Sequence, residues 1–86
     1  MISLFDTVEL KRDVINIRDS AGDVVNLATG SIGTVVMIYD NSVGCHGKVA
    51  YEVDFCDSTG DTIALITLGP DDIKLDRAFE TMKKAG

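Results

Sequence analysis

The 86-residue chain has no tryptophan, one proline, one histidine and two cysteines, and each shortage removes a class of function. A lone His46 would have to serve any Ser-His or Cys-His scheme by itself. Its neighbour Cys45 cannot simply partner it, because adjacent residues seldom aim their side chains at one another. If residues 48–56 form a strand, Cys45 and Cys56 lie on the order of 25 Å apart, beyond disulfide or shared-metal reach. No metal site and no cofactor are expected. Basic residues are also scarce: eight Lys+Arg against fourteen Asp+Glu give a net charge of -6. That field repels phosphate backbones, so nucleic acid is a disfavoured partner. No apolar run approaches the ~18 residues of a membrane span, and Asp6 interrupts Met1–Phe5 before a signal-peptide core can form. The expectation is a cytoplasmic protein with no membrane partner.

What the chain does have is a 45% hydrophobic composition in one short stretch of sequence, which describes a single small globular domain. Turn signals recur at Asp19–Asp23, Asp40–Gly47, Asp57–Asp61 and Gly69–Asp72. Between them lie runs rich in Val, Ile, Thr, Tyr and Phe, the mark of a small antiparallel all-β domain. Strands are expected at about 6–11, 33–40, 48–56, 61–68 and 73–75. A minor hairpin of 13–17 with 23–27 fills the long first connection.

Register follows from turn arithmetic. If Asp40 faces Lys48, then Val35 faces Val53, Met37 faces Tyr51 and Tyr39 faces Val49. A three-residue loop Ser58-Thr59-Gly60 pairs Asp57 with Asp61 and sets Gly60 where a left-handed backbone is needed. Phe55 then faces Ile63, and Val53 faces Leu65. The two registers agree on one apolar face of Val35, Met37, Tyr39, Val49, Tyr51, Val53, Phe55, Ile63 and Leu65. The opposite face mixes polar residues with Val36, Ile38, Ala50, Ala64, Ile66 and Leu68, and part of it wants a cover. The C-terminal segment is one candidate: Leu75, Ala78, Phe79 and Met82 fall on one helical stripe, with Asp76 at its start and Lys83-Lys84 at its end. A second copy of the protein is another, and strong barrel curvature a third.

The run Gly30-Ser31-Ile32-Gly33-Thr34-Val35-Val36-Met37-Ile38-Tyr39-Asp40, then Ala50–Phe55, Asp57–Ala64 and Leu68, resembles the DUF4926 family of small bacterial domains. Leu4–Leu10 is similar to that family's start, so the resemblance covers most of residues 4–75. Its motif consists of glycines, apolar strand positions and turns. It therefore implies a fold, an SH3-like barrel, and carries no catalytic role. The chain departs from the family pattern in its longer first connection and in its tail after Leu75. The full expectation is a mainly β, SH3-like antiparallel barrel of about five strands over residues 1–75, with a long first loop or hairpin. Residues 76–86 add a short C-terminal helix.

Other candidate sites have ordinary readings. Gly30 and Gly33 precede no helical pattern and no Lys-Ser/Thr pair, so they serve a turn into a curved strand. The carboxylates sit mostly at turns or on outward strand positions, where they serve solubility and turn chemistry. Tyr39 and Tyr51 fall on the core face rather than on a base-stacking platform. No catalytic constellation emerges, and no enzyme is expected. The functional expectation is a protein-interaction module, self-associating or binding a protein partner through the C-terminal helix and long first loop. Its candidate surface is Val36, Ile38, Ile66, Leu75, Phe79 and Met82. The alternatives are a KOW-like nucleic-acid-binding module, or an accessory or antidote protein to a basic gene-neighbour protein.

Overall fold

Short apolar-polar alternations, each stopped by an Asp- or Gly-containing turn, dictate strands of four to nine residues. A computed structural model describes residues 2–19, 21–40 and 49–79. They form β1 (Thr7–Leu10), β2 (Val14–Arg18), β3 (Val24–Leu27), β4 (Ile32–Asp40), β5 (Val49–Cys56), β6 (Thr62–Leu68) and β7 (Ile73–Arg77). Five strands make one antiparallel sheet in the order β6-β5-β4-β1-β7, and β2 with β3 makes a separate hairpin. Among the described residues β6 and β7 do not pair with one another, so the sheet is not closed into a barrel.

The turn chemistry holds. Asp57 donates its N–H to the carbonyl of Asp61 and receives that of Gly60, whose φ is +90°. Asp19, Gly22 and Asp23 repeat the arrangement at the tip of the β2–β3 hairpin, with Gly22 at +88°. Asp57 and Asp19 also accept backbone N–H groups from residues two and four positions later, the side-chain-locked turn that Asp favours.

Each expected register holds on one side of a bulge and fails on the other: β5 and β6 start as their turn requires, whereas β4 and β5 leave theirs with Asp40 facing Val49 rather than Lys48. Val35 faces Val53, but beyond one extra residue at Val36 it is Ile38 that faces Tyr51, and Met37 faces Glu52. Cys56 faces Thr62, but beyond an extra residue at Ile63, Ala64 faces Phe55 and Ile66 faces Val53. A third bulge, at Asp76, lies between the Val8–Leu75 and Thr7–Arg77 pairs. Because side chains alternate with period two, each bulge exchanges the faces of everything beyond it. Met37, Tyr39 and Leu65, expected in the core, are therefore exposed. Ile38 and Ile66 instead pack against the core, with Ala64 and Leu68 inside it.

The core unites Val8, Leu10, Val35, Tyr51, Val53, Phe55, Ala64, Leu68 and Ile73 with Leu27 of the hairpin. Val14, Ile17 and Val25 pack against the same cluster. The β2–β3 hairpin thus covers the sheet, where the expected covers were a C-terminal helix, a second copy or barrel curvature. A two-stranded hairpin is marginal alone, so this packing is what stabilises it. No helix occurs among the described residues. The segment Ile73–Arg77 continues as strand past Leu75, because its alternation satisfies the free edge of β1, and Met82 lies outside the described residues.

Gly33 sits opposite Val8 in the middle of this core. A Cβ there would stand 2.6 Å from Val53 Cγ1 and 2.9 Å from two ring carbons of Phe55, and both side chains are fully buried. The absent side chain is the space into which Phe55 packs. Gly33→Ala is expected to lower unfolding stability by about 2 kcal/mol through overpacking. Urea denaturation checks this, and an unchanged midpoint would contradict it.

Candidate functional site

The strand order places the first and last strands side by side, so the corner where both ends of the chain leave the sheet must be fixed locally. Asp6 does this. It is the one buried charged residue among those described, at 3% exposure. Its Oδ2 accepts the N–H of Ser3 at 2.7 Å and its Oδ1 accepts the N–H of Phe79 at 2.8 Å. Its own N–H donates to the Ser3 carbonyl, and its carbonyl accepts from Val35. One carboxylate therefore closes a turn over Ser3–Asp6 and pins the chain beyond β7 to the start of β1. Donors aimed at a buried carboxylate are what make its burial tolerable.

That turn forces an unusual backbone. Phe5 has φ +69°, the left-handed region that glycine occupies readily and a bulky residue seldom does. The Phe5 N–H donates to the Val35 carbonyl, which fixes the residue in this state. Its ring meets Phe79 edge to face, with centroids 5.6 Å apart and planes at 66°. Such pairing suits the aromatic quadrupole. Yet neither ring is interior: Phe5 is 46% and Phe79 52% exposed. Together with Thr7, Arg77 and Ala78 they line an open hollow of about 480 Å³. The hollow offers two aromatic rings, a hydroxyl and one cation.

Several other carboxylates are committed to structure. Thr29 donates to Asp13 through its N–H and its hydroxyl, holding that carboxyl below its ordinary range. The Thr59 hydroxyl does the same at Asp57, helped by backbone N–H groups. Arg12 Nε donates to Asp72 at 2.7 Å and lowers it likewise, joining the end of β1 to the turn before β7. On the outer face, Glu52 accepts the hydroxyls of Thr67 and Tyr39. Cys56 ends β5, where desolvation raises its thiol pKa and Asp54 pushes it the same way. A raised pKa keeps the sulfur protonated, the less reactive form. Among the described residues no group of three metal-ligating side chains assembles, and Cys45 and His46 lie outside them. No helix among the described residues is long and apolar enough to cross a membrane.

Of the candidate surface residues, Leu75 and Phe79 are exposed, while Ile38 and Ile66 pack on the core and Val36 is half-buried at the β4 bulge. The residues that sequence reasoning missed are Asp6 and Phe5. Asp6 looks like any strand-flanking acid until β7 is brought beside it, and nothing in Leu4-Phe5-Asp6 announces a left-handed phenylalanine.

Asp6→Ala removes the acceptor shared by both ends and is expected to cost about 2 kcal/mol, from two lost charge-assisted hydrogen bonds partly replaced by water. Asp6→Asn can accept only one of the two N–H groups and is expected to be nearly as costly. Denaturant unfolding measures both, and parental stability in either variant would contradict the role assigned to this carboxylate.

A family model described as a domain of unknown function, DUF4926, matches residues 4–75. No curated protein and no solved structure matches the chain. The family match begins at the strained turn, runs through every strand of the sheet to Leu75 in β7, and covers well over half of the sequence. The chain belongs to the DUF4926 family.

Proposed function

We propose that this domain is a non-enzymatic protein-interaction module of SH3-like architecture. Its mechanism is the seating of an apolar side chain from a protein partner at the Phe5–Phe79 corner. The observation that carries this reading is Phe5 itself. A phenylalanine held at φ +69° stores on the order of 1–2 kcal/mol of backbone strain. A half-exposed ring returns little of that in folding, since much of its apolar surface stays in water. Strained residues gather at sites of contact and switching.

The sheet order supports the SH3-like part of the proposal: the first strand lies between the central meander and the last strand, and a hairpin fills the long first connection. The net charge of -6 favours a partner with a basic surface around its apolar anchor, because opposite potentials steer the encounter. An accessory or antidote role beside a basic protein is one form of this reading. The same charge weighs against a KOW-like nucleic-acid module.

Phe5→Gly separates binding from folding, since it deletes the ring while relieving the strained φ. Its stability is expected to stay within about 1 kcal/mol of the parent. Affinity capture with the full chain, followed by calorimetric titration of the purified basic partner, is expected to show binding weakened at least about tenfold by Phe5→Gly and by Phe79→Ala. Ile15→Ala, on the exposed face of the hairpin, should leave it unchanged. Parental affinity in both phenylalanine variants would overturn the proposal.

A further inference from the structure

The hollow at the corner has an internal order that follows from the strands. Thr7 and Arg77 are direct partners across β1 and β7, so their side chains begin about 5 Å apart. Phe5 lies two positions before Thr7 and Phe79 two positions after Arg77, and these two rings meet edge to face. An aromatic pair and a pair of hydrogen-bond donors, one of them charged, therefore line the same hollow side by side. The charge there runs against the rest of the molecule. Fourteen acids outnumber eight bases in the chain, yet no acidic side chain lines the hollow. Asp6, between Phe5 and Thr7, is buried with both oxygens taken by N–H groups. Arg12 and Lys74 each reach a carboxylate, that of Asp72 and that of Glu9, whereas Arg77 meets none among the described residues.

We infer, resting on the corner as the seat of an apolar anchor, that the anchor is the C-terminal residue of the partner protein. Its apolar side chain lies against the rings of Phe5 and Phe79, and its free α-carboxylate accepts from the Arg77 guanidinium and the Thr7 hydroxyl. The planar guanidinium fork matches a carboxylate and can hold both its oxygens. Capture of a terminal carboxylate is a recurring mode of peptide recognition.

Chemistry selects the chain end. The hollow asks for an apolar group and an anion at adjacent points, and at a C-terminus both leave the same Cα. In an extended internal segment, the residue next to an apolar anchor points to the opposite face. Charge selects in the same direction. A net charge of -6 opposes the approach of an acid-rich segment, whereas a basic chain that ends in one carboxylate is attracted as a whole and needs a single cation where it lands.

Amide chemical-shift titration of the full chain with the peptide acetyl-Lys-Gly-Lys-Leu tests this. The peptide is used with a free C-terminus and as its C-terminal amide, beside acetyl-Lys-Leu-Gly-Glu-Lys-amide, which carries its acid on a side chain. The free acid is expected to shift the Thr7, Arg77 and Phe79 amides and to bind at least about fivefold more tightly than either amide. Arg77→Gln, at an exposed position, should abolish that advantage and leave the affinity of the acetyl-Lys-Gly-Lys-Leu amide unchanged, and a thermal melt establishes that the variant folds. Equal binding of acid and amide overturns the inference, as does a loss in Arg77→Gln shared by both. A glutamate peptide as tight as the free acid also overturns it, as does a free acid that shifts nothing at the corner near about 5 mM. The rings separate the two failures: if Phe5→Gly weakens acid and amide alike while the two bind the parent equally, the apolar seat stands and the carboxylate contact falls.

Discussion

One buried carboxylate holds the segment before β1 to the segment after β7. Asp6 has no basic side chain bonded to it among the described residues. It is met instead by the N–H groups of Ser3 and Phe79, which lie 76 positions apart in the sequence. Because β1 lies between β4 and β7, the sheet can be completed only where the beginning and end of the chain meet, and Asp6 stands at that junction. The left-handed Phe5, the edge-to-face pair with Phe79 and the open hollow beside them all follow from this one set of hydrogen bonds. A strained turn persists only when its surroundings over-determine it. Here the surroundings are a carboxylate on one side and the Val35 carbonyl on the other.

The shape of the sheet depends on a second constraint, the three bulges at Val36, Ile63 and Asp76. Each bends its strand and increases the local twist, so one face curves around a small core. Gly33 makes room at the centre of that curve for the Phe55 ring. The β2–β3 hairpin then lies over the core and seals it with Leu27. What remains outside is a surface of two kinds: an acid-rich set of turns, and scattered apolar side chains at the corner and on the outer face. A small domain cannot bury all its apolar area, so single exposed residues need no explanation. A strained, paired aromatic does.

Much of this architecture was legible in the sequence. Gly60 announced its turn, the segment from Val14 to Leu27 announced its hairpin, and the patterned runs announced the sheet. The bulges were not legible, for a physical reason. Val35-Val36-Met37-Ile38-Tyr39 and Ile63-Ala64-Leu65-Ile66 are apolar throughout, so a shift by one residue leaves a pattern that reads equally well. Only packing decides it. The tail misled differently: Leu75, Ala78 and Phe79 fit a helical stripe, yet Ile73-Lys74-Leu75-Asp76-Arg77 also alternates, and the unpaired edge of β1 decided for strand. The role of Asp6 was not legible because one of its two partners, Phe79, lies 73 positions away.

The corner is the proposed seat of an apolar anchor, and that proposal depends on Asp6 holding Phe79 in the native state. Native-state amide hydrogen exchange on the full chain tests that most directly, because the Phe79 N–H lies beyond the last strand, where a free tail would exchange at peptide rates. The account predicts that the Ser3 and Phe79 amides are protected together, far above the level of an unstructured chain. A Phe79 amide exchanging as fast as a free peptide, while Val8 stays protected, would contradict it.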